Sequence, residues 1–164
     1  MKRFDPVPRM AEPCEVADAM TTAVVSCRPH ETLVRVAQRM ARRRVGFSPV
    51  LAGASGRRVV GVLTERDICR AAGRGAHPHE ARVDAAMGVA VRCCWADDSL
   101  EAAEAIMRAH GVRRLSVVDP SGDLVGVLSL SDVARSAVVR GIDSDLRDQV
   151  VETYVATSRA SLRG

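Results

Sequence analysis

Aromatic residues are nearly missing from this chain: 2% of 164 residues, one Trp, one Tyr and two Phe. Little is therefore available to stack nucleic-acid bases on, and the interior has to be built from Val, Leu, Ala and Met. No apolar run approaches the roughly 18 residues that a membrane-spanning helix needs. The start, Met1-Lys2-Arg3-Phe4-Asp5-Pro6, lacks the apolar stretch of a signal peptide, so a cytoplasmic protein is expected. The five cysteines are an odd number without a CxxC spacing, which indicates neither a disulfide framework nor a zinc site. Free thiols, mostly buried, are the expectation in a reducing cytosol. His77-Pro78-His79 falls in a Gly- and Pro-flanked stretch and reads as a solvated loop rather than a metal site. A Walker or GxGxxG loop, a nucleophile with a placed His and a metal-ligand set are lacking too, so no enzyme chemistry is indicated.

What is present is mainly apolar and cationic. Hydrophobic residues make up 47%, above the disordered range. The net charge is +4, from 24 Lys plus Arg against 20 Asp plus Glu, and nearly all the cations are arginine. They are scattered rather than gathered on one face, which argues against nucleic acid as a partner. Their densest run, Arg42-Arg43-Arg44, closes a helix, where cations favour the negative end of the macrodipole.

The chain also repeats itself. Gly61-Val62-Leu63-Thr64-Glu65-Arg66-Asp67 is echoed by Gly126-Val127-Leu128-Ser129-Leu130-Ser131-Asp132, and Val16-Ala17-Asp18-Ala19-Met20 by Val83-Asp84-Ala85-Ala86-Met87. The offset is 67 from Met20 to Met87 and from Val50 to Val117, then 65 from Gly61 to Gly126. The slip falls between the turn clusters Gly53-Ala54-Ser55-Gly56 and Pro120-Ser121-Gly122, where residues can be lost without moving the flanking strands. Duplication of one unit follows.

Each unit reads as strand, helix, hairpin, helix. In the first, Val24–Cys27 suits a strand, and Thr32 stands at the N-cap of a helix carrying Leu33, Val36, Ala37 and Met40. Phe47–Leu51 and Val59–Leu63 form a hairpin, and Glu65–Ala72 a helix stopped by Gly73 and Gly75. In the second, Val91–Cys94 is the strand, and Ser99 caps a helix with Leu100, Ala103 and Met107 that Gly111 ends. Leu115–Val118 and Leu124–Leu128 pair, and Leu130–Val139 closes the unit. Leu146, Val150 and Tyr154 recur every four residues, the apolar face of one more helix, which either covers the domain or meets a second chain. The expected organisation is a tail over 1–15, repeats over 16–73 and 83–140, a linker over 74–82, and a C-terminal helix or tail over 141–164.

With these motifs the chain resembles a tandem pair of CBS (cystathionine beta-synthase) domains, a Bateman module. The resemblance rests on Val16-x-Asp18-x-Met20-Thr21, Val83-x-x-x-Met87, Gly46-Phe47-Ser48-Pro49-Val50, Val112-Arg113-Arg114-Leu115-Ser116-Val117-Val118 and the two Gly-to-Asp motifs. Thr64-Glu65-Arg66-Asp67-Ile68 is typical of stand-alone bacterial members. The implied fold is α/β (α+β): two β-α-β-β-α repeats packed sheet against sheet with pseudo-twofold symmetry, with two clefts between them. The implied assembly is a homodimer. The implied ligands are AMP, ADP, ATP or S-adenosylmethionine, held as regulatory ligands rather than required cofactors.

The resemblance also implies site residues. Thr64 and Ser129 would meet phosphate or ribose, and Asp67 and Asp132 the ribose. Adenine contacts would come from Thr22, Ala23 and Val24, from Val89, Ala90 and Val91, and from the hairpin positions Ser48-Pro49 and Leu115-Ser116. Arg66, Arg113 and Arg114 would supply cations to phosphate. The chemistry agrees: a strand that enters a helix at Thr64 brings a hydroxyl to a helix N-terminus, where free N–H groups receive phosphate oxygens, and a carboxylate accepts from both ribose hydroxyls. The same Thr-x-x-Asp spacing is equally a helix-capping arrangement that requires no ligand. Ser116 stands where the family often has proline, Gly88 where the first copy has Thr21, and Phe47 at a position often small, so the two clefts are expected to differ. The leading function is an adenosine-nucleotide sensor that signals to a partner protein. The alternatives are a ligand-independent dimerisation scaffold and a thiol-based redox or stress sensor.

Overall fold

The computed structural model describes residues 14–139 and 144–162. The order is α1 (Val16–Ala19), α2 (Leu33–Arg43), β1 (Phe47–Leu51), β2 (Val59–Thr64), α3 (Glu65–Gly73), a 3-10 turn (Val83–Ala85), β3 (Cys93–Trp95), α4 (Leu100–His110), β4 (Arg114–Val118), β5 (Leu124–Ser129), α5 (Leu130–Val139) and α6 (Ser144–Leu162). Both hairpins are antiparallel: β1 pairs with β2 from Phe47↔Thr64, and β4 with β5 from Arg114↔Ser129. Each carries one irregularity, between Val50 and Leu51 and between Val117 and Val118. None of the helices among the described residues is long and apolar enough to cross a membrane.

The two copies differ at their first strand. β3 runs parallel to β4, giving a three-stranded sheet, whereas the strand expected over Val24–Cys27 reduces to one bridge, Cys27↔Val50. Proline accounts for the difference. In the second copy the Ser116 N–H donates to Arg92 O at 3.3 Å. Its counterpart, Pro49, has no N–H to give, and the Val25 carbonyl is met instead by the Ser48 hydroxyl at 2.9 Å.

The repeats interlock by exchanging their first segments. Thr21 bridges Val127 and Gly88 bridges Val62, while Glu15 bridges Ser99 and Arg82 bridges Thr32. Under the repeat offsets each of these pairs maps onto its partner pair, and the bridge Arg58↔Asp123 maps onto itself. That is the signature of a pseudo-twofold axis. Core membership follows the exchange. Val83 packs with Leu33, Val36, Met40, Val50 and Leu63 of the first repeat. Val16 packs with Leu100, Met107, Leu115, Leu128 and Val133 of the second. A buried Val, Leu or Met of this kind contributes about 1.5–3 kcal/mol, so each repeat relies on the other for part of its core.

α6 lies over α4 and α5 and, among the described residues, has no counterpart on the first repeat. Its buried face is Leu146, Val150, Thr153 and Thr157, with Tyr154 57% exposed. The stripe ending at Tyr154 that the sequence predicts is therefore turned by about one residue. The cause is Glu104 on α4, fully buried, whose Oε1 receives the Thr153 hydroxyl and whose Oε2 faces Arg108 Nη2 at 3.7 Å. A buried carboxylate requires a donor, and the Thr153 hydroxyl supplies it.

Candidate functional site: the cleft between the repeats

Thr64 ends β2 and caps α3. Its hydroxyl donates to Asp67 Oδ2 at 2.6 Å, its backbone N–H donates to the same oxygen at 2.9 Å, and the Asp67 N–H returns to Thr64 Oγ1 at 3.3 Å. Ser129 and Asp132 repeat the set at 2.5, 3.0 and 3.2 Å. Both boxes are thus complete reciprocal caps. In each, the remaining carboxylate oxygen faces an arginine one turn on: Arg70 Nη1 lies 3.6 Å from Asp67 Oδ1, and Arg135 Nη1 3.3 Å from Asp132 Oδ1. The hydroxyls are spent as donors, so a phosphate beside Thr64 depends on cations nearby.

Those cations are present. Thr64 opens on a cleft of about 650 Å³ between the repeats. Gly46, Phe47, Val62, Glu65 and Arg66 line it from the first repeat, Ala90, Arg92 and Gly111 to Arg114 from the second, and Thr157 from α6. Five arginines, at 44, 66, 92, 113 and 114, stand on this wall against the one carboxylate of Glu65. Such a wall attracts anions. Asp67 stands one layer behind it, bonded to the wall hydroxyl. The exchanged segment explains why the residues around Ala90, rather than those around Ala23, meet the Thr64 motif.

Ser129 opens on a second, smaller cavity of about 480 Å³. Arg113 and Arg114 reach this one too, but four of its wall residues, Val150, Val151, Tyr154 and Val155, belong to α6. Unlike the cleft at Thr64, this cavity takes no wall residue from the first repeat; α6 stands there instead. Thr22, Ala23 and Val24 line neither. They face a third cavity, of about 1140 Å³, against the arginine face of α2.

Other sequence-predicted site residues have their side chains engaged elsewhere. Ser48 is fully buried and bonded to Val25 O, Pro49 is buried in β1, and Leu115 belongs to the second core. Ser116 is fully buried and its Oγ has no hydrogen-bond partner. Val89 is 74% exposed and Val91 half-buried. Of the cleft's lining, Arg44, Gly46, Phe47, Val62, Glu65, Arg92, Gly111, Val112 and Thr157 were not among the sequence-predicted site residues. Two of them, Arg44 and Gly111, are equivalent positions under the repeat offset, and both end their helices in the left-handed conformation, at φ 54° and 63°.

The comparisons agree with this fold. The CBS domain family model matches residues 16–74 and 83–138. The CBS domain-containing protein YhcV of Bacillus subtilis is 33% identical over 119 residues, which cover 73% of this chain and 82% of that one. A CBS domain protein of Pyrobaculum aerophilum, solved in complex with AMP, superposes with a TM-score of 0.71 at 28% identity, over 79% of this chain and 98% of that one. A CBS domain protein of Thermoplasma acidophilum gives 0.72 at 20% identity, over 87% and 77%, a likeness of fold alone. Two matched repeats, each ended by a capped Gly-to-Asp motif and joined through exchanged starts, make this chain a tandem-pair member of the CBS domain family.

Proposed function

We propose that the chain is a regulatory sensor that binds an adenosine nucleotide in the Thr64 cleft and signals its occupancy to a partner. The observation that carries this reading is the five-arginine wall around a capped Thr64–Asp67 box, in a cleft of about 650 Å³ that both repeats build. A pocket of this size suits a ligand with a small ring system and a phosphate. The AMP held by the Pyrobaculum relative supports the same ligand class here. In this reading Asp67 Oδ1 turns from Arg70 to accept from the ribose hydroxyls, the wall near Ala90 and Val62 receives the purine, and Arg66, Arg92 and Arg114 meet phosphate. AMP is the first candidate, with ADP, ATP and S-adenosylmethionine after it. The activity is binding rather than catalysis, and the setting cytoplasmic. Because both repeats contribute to the wall, a ligand that prefers one arrangement of the repeats shifts the population towards it.

A second reading is a homodimer that serves as a scaffold. It is favoured by apolar residues left exposed on the helices of the second repeat: Val138 and Val139 on α5, and Val151, Tyr154 and Val155 on α6. A melting scan with AMP, ADP, ATP and S-adenosylmethionine separates the two. Ligand binding to the native state raises the midpoint by mass action, and a flat response to all four compounds leaves the scaffold.

A further inference from the structure

The third cavity is cationic for a reason the fold does not supply. Arg35, Arg39, Arg42 and Arg43 project from α2 into it. They follow the i, i+4, i+7, i+8 pattern of one helical face and span about 12 Å of helix. The equivalent positions of α4 are Ala102, Ile106, Ala109 and His110. One copy of the repeat thus forms the same helix without any of these arginines. The helix dipole accounts for Arg42 and Arg43 in the last turn, but Arg35 lies in the first turn, at the end that disfavours a cation. Among the described residues Glu31 answers this charge: it takes Arg39 in a two-pronged pair at 3.0 and 3.0 Å. Burial pushes the Glu31 carboxyl upward, yet the Arg39 hydrogen bonds, the Arg28 N–H and the charges of Arg39 and Arg35 outweigh it and hold the group below its ordinary range. Among the described residues Arg35, Arg42 and Arg43 form no ion pair at contact distance, and Arg39 Nε is buried with no acceptor.

The opposite wall adds donors. It is the segment Thr21 to Ser26, which contributes the hydroxyls of Thr21, Thr22 and Ser26 between apolar Ala23, Val24 and Val25. A wall of guanidinium forks and hydroxyls without a carboxylate suits phosphate oxygens, which guanidinium binds in the two-pronged mode. A single phosphate does not reach from Arg35 to Arg43. We infer that this groove of the first repeat binds an oligophosphate, either free or as the tail of a nucleotide, at a site separate from the cleft at Thr64. The groove shares no wall residue with that cleft or with the Ser129 cavity, so the inference stands or falls independently of the AMP reading.

Calorimetry on the full chain at low salt tests it, with tripolyphosphate, ATP, AMP and a poly-glutamate peptide as titrants. Tripolyphosphate is expected to bind one to one and to weaken steeply as salt rises. Arg35→Ala/Arg42→Ala should lose at least about tenfold in that affinity, with AMP binding unchanged. The charge-matched control Arg58→Ala/Arg74→Ala, at exposed positions away from the groove, should stay within about twofold. Arg114→Ala should leave tripolyphosphate binding intact. If ATP competes with tripolyphosphate and AMP does not, the source is a nucleotide tail; if neither competes, it is a free oligophosphate. The inference is overturned if tripolyphosphate fails to bind, if both double variants lose equally, or if poly-glutamate binds as tightly.

Discussion

Met87 lies so close against Gly61 that a Cβ on the glycine would stand 2.6 Å from its sulfur. The twin contact joins Met20 and Gly126 at 2.5 Å. The backbone carbonyls of Gly88 and Thr21, each 3.2 Å from the same hypothetical carbon, limit any retreat. Glycine in the Gly-Val-Leu motif is thus a requirement of the exchanged segments, which lay a methionine across it. Gly61→Ala should destabilise the protein by about 1–3 kcal/mol through overpacking, and Gly126→Ala similarly. Gly73→Ala, in the last turn of α3 with no atom within 4 Å, should instead be neutral or stabilising by up to about 1 kcal/mol. Urea midpoints of the three variants give the comparison.

Asp67 caps α3, which contributes about 1 kcal/mol to stability; the proposed ribose contact would add about 1.5–3 kcal/mol to binding. Asp67→Ala should therefore lower the urea midpoint slightly and weaken AMP roughly ten- to hundred-fold. Asp132→Ala should share the first effect but show little of the second, because α6 walls the Ser129 cavity. A lowered midpoint with unchanged AMP affinity for Asp67→Ala would reduce the box to a helix cap.

The hydroxyl of Thr153 holds α6 to the second repeat through Glu104. Thr153→Val keeps the shape and leaves Glu104 with only the distant Arg108, at an expected loss of about 1–3 kcal/mol. Pairing it with Glu104→Leu removes the stranded carboxylate and should restore much of that loss. A double-mutant cycle by denaturant unfolding measures the coupling. Additive losses would mean that the bond carries no coupling energy.

The five thiols should separate by reactivity. Cys69 is exposed, whereas Cys14, Cys27 and Cys94 are buried. Burial pushes the Cys94 thiol up to about 12, with Asp98 and Cys93 adding to the shift, and burial raises Cys27 as well. Near pH 8, the thiolate that reacts is then scarce at Cys27 and Cys94. Mass spectrometry after brief alkylation of the native protein should find Cys69 modified first and Cys94 only on unfolding. Equal labelling at Cys94 would contradict the burial, and loss of AMP binding on Cys69 modification would revive the thiol-sensor reading.

How much of this was legible in the sequence follows from the range of the forces involved. The hairpins around Gly53 and Gly122 and the helices after Thr32, Thr64, Ser99 and Ser129 were readable, because periodicity, turn residues and caps act over a few positions. The repeat implied a pseudo-twofold axis. What it could not convey was which copy receives Val16 or Val83, since either core offers the same apolar slot. The loss of the strand at Val24 was written in Pro49, but only in combination with a parallel neighbour far along the chain. Tyr154 misled because a buried glutamate on α4, absent from the first copy, set the face of α6. The arginines of the Thr64 wall come from four separate stretches and converge only after folding.

Exchanging the opening segments has a consequence for the halves taken alone. Cut free, either one would hold a slot for a valine it does not own and a valine with nowhere to go. Only another molecule could resolve both, at a concentration sufficient to drive pairing. Joining the halves through residues 74–82 replaces that dependence with an intramolecular effective concentration, and so turns what would be dimerisation into folding.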